Sequence, residues 1–346
     1  MIRWISVLVF FFCCTSIHAQ SRNYKVAAVG FYNVENLFDT INNPLTNDED
    51  FQPDGSYRYN TAVYLEKQAN MAKVIAEMGT ELTPDGVAIL GLAEVENRKV
   101  LEDLIQQKAF SGRKYEIVHF DSPDPRGIDV ALLYQPKYYK VLGAKTISMN
   151  AYEEDGESRG TRDILLVSGL LDGDPVHVLV NHWPSRRGGE AATRPLRNAA
   201  ALQCKNVSDS ITAADPKAKI FIMGDLNDDP VSPSVRQVLQ AKADKEAAPE
   251  RGFFNPFYEL YRKGIGTLAY QDSWNLFDQI ILSQSVVNAK IGGYQFYQAK
   301  VFNPPYLYQN TGHFKGYPHR TFSGSTYIGG YSDHFPTLVY LVKPAE

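Results

Sequence analysis

The stretch Lys219-Ile-Phe-Ile-Met-Gly-Asp-Leu-Asn-Asp-Asp-Pro-Val231 constrains the fold of this chain more than any other. Ile220 to Met223 is a short continuous apolar run, the pattern of a strand buried on both faces. Gly224 ends the run, and Asp225 and Asn227 follow two positions apart. At a strand end, residues i and i+2 leave from the same face. A carboxylate and a carboxamide are therefore expected side by side on a rigid element. Taken alone, Gly-Asp-x-Asn is also an ordinary turn; it gains meaning if other strand ends carry matching groups.

They do. Lys25–Phe31 is apolar enough for a buried strand and runs into Asn33-Val-Glu35-Asn36. Gly86–Ala93 ends at Glu94, and Val176–Val180 leads into Asn181-His182. Asp278 lies in the apolar run Leu276–Leu282, where a carboxylate without a partner is costly and a histidine is its natural partner. Ser332-Asp333-His334 precedes a last apolar run, Thr337–Val342. Each group has a plain structural alternative: turn former, helix-end acid or packed histidine. Together, and always at strand ends, they point to one polar site.

The remaining pattern is mixed. Leu65, Ala69, Ala72, Ile75 and Met78 recur at helical spacing, and helices are also expected over Arg98–Ala109, Leu196–Ile211 and near Val235–Ala241. Further strands are expected over Tyr115–Phe120, Ile128–Tyr134, Lys140–Met149 and Asp163–Leu171, with loops over Asn42–Tyr59 and the aromatic segment Tyr294–Tyr308. Neither a repeat nor a regular βαβ alternation is visible. The expected architecture is α+β: two packed sheets with helices outside, in one domain spanning residues 20–346.

Arg3 and the apolar run Trp4–Cys14, followed by Ile17-His-Ala19, read as a secretory signal peptide cleaved after Ala19. The run is short for a bilayer span, and Cys13-Cys14 does not fit a good lipoprotein box. The mature chain is thus expected to be secreted or periplasmic, without a stable membrane span. Cleavage leaves Cys204 alone, which excludes an intrachain disulfide and a cysteine-based metal site. The formal charge of −4 becomes −5 on losing Arg3, since Met1–Ala19 holds no acidic residue. An acidic protein is not a bulk nucleic-acid coat, so contact with a polyanion must be local.

Carboxylates and carboxamides dominate the polar set, a donor chemistry that suits Mg²⁺, Mn²⁺ or Ca²⁺ better than Zn²⁺. With two histidines, it is a kit for hydrolysing phosphate esters. Arg186 and Arg187, just after His182, could clamp a phosphate with guanidinium forks or simply form a solvated basic loop; Arg126 is a weaker candidate.

Asn33-x-Glu35, Glu94, Asn181-His182, Gly224-Asp225-x-Asn227, Asp278 and Ser332-Asp333-His334 occur in an order that resembles the endonuclease/exonuclease/phosphatase superfamily, which includes DNase I and the abasic-site endonucleases. The resemblance runs from Phe31 to Pro336 and is strongest to the secreted bacterial nuclease-like branch. It implies a DNase I-like four-layer sandwich of mostly antiparallel sheets. It also implies Glu94 as principal metal ligand with Asn33, Glu35 and Asp333 in or near the metal shell. Asp225 and Asn227 would position and deprotonate water, Asp278 would hold the ring of His334, and His182 and His334 would flank the phosphate. Asn181, Arg126, Arg186 and Arg187 would contact substrate. Two positions depart from the common pattern: Ala93 where many members have Gln, and Leu276-Phe-Asp278 where many have Arg-x-Asp. The expectation is a monomeric, metal-dependent phosphodiesterase acting on nucleic acid, with no protein partner implied. Its rivals are a phosphatase or sphingomyelinase-type phospholipase of the same superfamily, and a catalytically silent binding protein.

Overall fold

The computed structural model describes residues 23–149, 151–152, 158–249 and 251–345. The expected signal peptide, Met1–Ala19, lies outside the described residues. Two six-stranded sheets carry the fold. In chain order the strands are β1 (Tyr24–Leu37), β2 (Val87–Val95), β3 (Glu116–His119), β4 (Asp129–Tyr134), β5 (Tyr139–Ile147) and β6 (Ile164–Leu171). They continue with β7 (Asp174–His182), β8 (Lys219–Asp225), β9 (Phe253–Phe254), β10 (Asp278–Ser283), β11 (Gln295–Val301) and β12 (Thr337–Pro344).

The first sheet has the order β11-β12-β1-β2-β4-β3 and the second β9-β10-β8-β7-β6-β5. Each contains a single parallel pair at its centre, β1 with β2 and β7 with β8; the other neighbours are antiparallel. The central strands are buried on both faces, which is why β2 and β8 read as unbroken apolar runs. Between the sheets lies one core, with Val29, Phe31 and Ile89 on one side and Val178, Val180, Phe221, Met223 and Ile280 on the other. The sheets approach closely at Gly91, where a Cβ would stand 2.6 Å from Met223 Sδ.

Helices cover the outer faces. α1 (Thr61–Glu77) starts at Asn60, whose side chain accepts from the Ala62 and Val63 amides, and packs on the first sheet with α2 (Arg98–Ile105). α3 (Glu190–Ala214) lays Ala200, Ala201 and Cys204 against Leu179, Ile220 and Ile222 of the second sheet. Small side chains at helical spacing let this helix sit close to the strands. Cys204 is a buried free thiol, and burial pushes its pKa up to about 12. No helix among the described residues is long and apolar enough to cross a membrane.

Some local expectations needed correction. The helix after Glu94 ends at Ile105, followed by a separate turn at Lys108–Phe110. The aromatic segment expected as an irregular loop contains β11, an edge strand paired with β12. Its aromatics are mostly structural: Tyr294 is buried and donates to Asp172 Oδ2 at 2.6 Å, and Tyr308 packs on Phe335. Alternation was hidden there by aromatic residues on both strand faces, with partners far away in sequence.

Candidate active site

Register assembles the site. Asp225 at the end of β8 pairs with His182 of β7 on one side and with Asp278 of β10 on the other. In the facing sheet, Asn33 of β1 pairs with Ala93, the residue before Glu94. Parallel strands bring their C-terminal ends to one edge, and antiparallel β10 and β12 bring their starts to the same edge. The two rows meet across the sandwich: Asn33 Nδ2 donates to Asp225 Oδ2 at 3.0 Å and lies 3.4 Å from Glu94 Oε1. The strand ends are bent to do this. Glu35, Glu94 and Asn227 hold φ values of 51°, 66° and 49°, left-handed conformations unusual outside glycine that aim their side chains out of the regular pleat. Gly224, just before Asp225, is required by close approach: a Cβ there would stand 2.3 Å from the Asn181 carbonyl oxygen.

The histidines flank Asp225, with His182 Nε2 at 3.7 Å and His334 Nε2 at 3.9 Å from its Oδ2. His334 Nδ1 bonds Asp278 Oδ2 at 2.7 Å, and its backbone N–H donates to Ser332 Oγ. The expected partner of the buried Asp278 is thus this histidine. Burial disfavours a charged His334, but the Asp278 and Asp225 carboxylates overcome it and hold the ring well above its ordinary value. His182 is driven the other way, by burial first and then by the positive charges of Arg162, Arg126 and His334. The Nε2 of His182 also lies 3.8 Å from Glu94 Oε1. Burial raises Asp225 to about 7, with the Asp278 and Glu94 charges adding to it and His334 opposing. Two rings of opposite protonation bracket a carboxylate poised near neutrality, an acid–base arrangement.

The other expected site residues are placed as follows. Asn227 donates to the Trp183 carbonyl at 2.9 Å, and its N–H binds Asp225 Oδ1. Asn181 is fully buried: its amide donates to the Leu179 and Met223 carbonyls and accepts from Trp183 Nε1, so it braces β7 against β8 and does not face the cleft. Arg186 donates to the Asn227 carbonyl at 2.9 Å and to Asp228 at 3.1 Å, tying down the turn after β8. Arg187 and Arg126 are exposed. Asp333 and Glu35 are brought together by Arg320, whose Nη2 donates to Asp333 Oδ2 at 3.0 Å and whose Nε donates to Glu35 Oε1 at 3.2 Å. The Thr321 N–H takes the other Glu35 oxygen at 2.8 Å.

Sequence reasoning missed Arg320 and also Arg162, a buried guanidinium that joins Asp124 at 2.9 Å to the Trp183 carbonyl at 2.8 Å. It likewise missed Lys67, buried in α1, which donates to Thr321 Oγ1 at 2.5 Å and the Tyr331 carbonyl at 2.8 Å. Lys67 carried a weak signal, since it falls in line with Val63, Met71 and Val74 on the face α1 buries, whereas Leu65 and Ala69 of the expected stripe are exposed. Arg162 and Arg320 carried none, being lone cations in turns.

The donor chemistry of the cleft fits a hard divalent cation. Glu94 presents a carboxylate that is 15% exposed, Asp225, Asp278 and His334 bring ligand atoms within 4.8 Å of one another, and no thiol reaches the cleft among the described residues. Both Glu35 oxygens are engaged by Arg320 and Thr321.

Comparison with known proteins places this geometry. No curated protein sequence matches the chain. Among solved structures, TDP2 from C. elegans superimposes with a TM-score of 0.54 at 16% identity, covering 91% of this chain and 75% of that one. An endonuclease/exonuclease/phosphatase family protein from Bacteroides thetaiotaomicron gives 0.53 at 15% identity, covering 93% and 100%. D. rerio TDP2 complexed with single strand DNA product gives 0.52 at 14% identity, covering 91% and 98%. These likenesses establish the shared fold. A family model described as endonuclease/exonuclease/phosphatase family matches residues 28–343, nearly the whole described chain, and so the chain belongs to that family of phosphoric-ester hydrolases.

Proposed function

We propose that this chain is a secreted, divalent-metal-dependent phosphodiesterase that acts as a nuclease. The observation that carries the reading is the row His182–Asp225–Asp278 in one sheet, closed by Asn33 and Glu94 of the other and by His334. Glu94, with Asn33 and Asp333, would hold Mg²⁺, with Mn²⁺ or Ca²⁺ as alternatives; when bound, the ion supplies charge neutralisation at the phosphoryl and leaving oxygens.

The chain's own groups do the rest. Asp225 takes the proton from the attacking water, which Asn227 helps to position. The water oxygen forms the new P–O bond as the bond to the leaving oxygen breaks. His334, held protonated by Asp278, offers its Nε2 proton to the phosphoryl group. His182, neutral, orients on the opposite side of Asp225. Arg187, exposed, and Arg126, half-exposed and paired with Asp124 at 3.5 Å, would meet flanking phosphates, whereas Arg186 serves the site through the loop it braces.

Nucleic acid is favoured as substrate by these local cations on an acidic chain and by the aromatic rings beside the cleft. The single-strand DNA product in the D. rerio TDP2 structure supports it. Secretion is supported by the apolar N-terminal run. The deciding experiment incubates the mature protein with Mg²⁺, Mn²⁺ or Ca²⁺ and plasmid DNA, RNA, sphingomyelin or phosphomonoesters. Cleaved nucleic acid that depends on Glu94 and is lost in chelator is expected. Intact DNA and RNA with turnover of sphingomyelin or a phosphomonoester would replace this reading with the phospholipase or phosphatase one.

A further inference from the structure

Two cavities meet at Arg320. One, of about 210 Å³, lies between Glu35, Asn36 and the rings of Phe51, Tyr57 and Phe322. The other, of about 320 Å³, is walled by Tyr270, Phe314 and Tyr317 and floored by Asp333. Arg320 borders both. Glu35 and Asp333 hold its guanidinium from behind, and its Nη1 has no hydrogen-bond partner among the described residues. The side chain remains 41% exposed. The backbone on either side is fixed, because Thr321 is bound by Glu35 and by the buried Lys67 ammonium.

A purely structural role for Arg320 would be to neutralise two acids. Half-exposed ion pairs contribute little to stability, and such a role gives no reason for a hollow on each side. A guanidinium fixed on one edge and open on the other is instead a preorganised donor for a phosphate oxygen. The second cavity, with Tyr270 66% exposed, offers a stacking face to a base. In the first, Phe51 is already stacked between Phe38 and Tyr57, and the wall offers ring edges and the Glu35–Asn36 polar groups. Two hollows separated by one arginine cannot take two bases that are still stacked on each other, as they are in a duplex.

We propose that Arg320 binds a non-bridging oxygen of the substrate diester, and that the cavities receive the bases on its two sides. The preferred substrate is then a single-stranded nucleic-acid diester with the flanking bases splayed apart. This assignment rests on the nuclease reading above and names the substrate form for that same site.

The test is equilibrium binding in excess chelator, where nothing turns over, using a fluorescent single-stranded hexanucleotide, a duplex of the same sequence, and inorganic phosphate. Wild type should prefer the single strand. Arg320→Ala should weaken its binding about tenfold, the worth of a hydrogen bond to a charged group, and reduce the salt slope by about 0.7, one single-strand phosphate contact. Arg320→Lys should keep the salt slope and lose part of the affinity, which separates charge from the fork. Tyr57→Ala and Tyr270→Ala should weaken the single strand but not inorganic phosphate. Thermal melts accompany each variant, and if Arg320→Ala does not fold, the lysine and tyrosine variants decide. Unchanged affinity and salt slope in the arginine variants, or no effect of either tyrosine, overturns the assignment while leaving a wild type that still cleaves nucleic acid as a nuclease. A wild type inert toward nucleic acid with every metal overturns both.

Discussion

Asp225 stands between two rings that hold their protons differently, and that sets the pH behaviour of the site. Its carboxyl is raised to about 7, chiefly by burial, and must be ionised to accept a proton, so kcat/KM should fall as the pH drops through about 7. A pH–rate profile measures this; a profile flat from about pH 5 to about pH 8 would sink the role of Asp225 as base. His334 is tied to Asp278 at 2.7 Å, and residues that act as a unit lose activity together. The double variant Asp278→Asn with His334→Ala should therefore be little worse than the poorer single variant. Fully multiplicative losses in kcat would show that the two act separately.

At the scale of elements, the site depends on how closely β7 and β8 lie. Gly224→Ala would drive a Cβ into the Asn181 carbonyl of the neighbouring strand at 2.3 Å, and backbone cannot swing aside as a side chain can. Overpacking of this kind costs about 1–3 kcal/mol, and it should also shift Asp225 against His182 and lower activity. Gly143→Ala on β5, where a Cβ meets nothing within 4 Å, is the control and should be neutral in chemical denaturation. The turn after β8 gives a second contrast. Arg186 holds the Asn227 carbonyl, Asp228 and Asp229, while Arg187 is exposed. Arg186→Ala should cost about 1–3 kcal/mol of stability by removing the donor of the Asn227 carbonyl, while Asp228 and Asp229 keep Arg197, Ser234, Asn275 and the Leu276 N–H. Arg187→Ala should leave stability unchanged and flatten the salt dependence of nucleic-acid cleavage. Equal melting temperatures for the two variants would contradict the division of labour.

For the whole molecule, the buried acids couple stability to pH and to metal. Glu35 and Asp225 are raised to about 7 and Glu96 to about 8, each mainly by burial. The folded chain therefore keeps protons that the unfolded chain loses near its ordinary carboxyl values of about 4. Stability from these groups is complete below that value and is lost as the pH rises through about 7 to 8. His334, also raised, acts in the same direction, and His182, buried neutral, acts against it. In chelator, Tm should fall from about pH 5 to about pH 8. Added Mg²⁺ should raise Tm more at the upper end, because ligands bind cations once deprotonated. A Tm that rises with pH in chelator would refute this balance.

Much of the molecule was legible in one dimension. Strand runs, the polar residues at their ends, and the order of Asn33, Glu94, His182, Asp225, Asp278 and His334 are local chemistry and local periodicity. They were enough to give two sheets flanked by helices and a shared edge. Even the pairing of Asp278 with a histidine followed from the cost of a lone buried carboxylate. The tertiary structure alone decided which polar residues face the cleft and which brace it. Asn181 and Arg186 look in sequence like the residues beside them, yet neighbouring strands and turns take up their hydrogen bonds. Arg162, Lys67 and Arg320 are single cations with no repeating pattern around them; Arg320 meets Glu35 across 285 positions of chain. The protonation of His182 and His334 differs for the same reason. Burial and the distance to other charges set a proton affinity, and both are properties of the folded chain, not of neighbours in sequence.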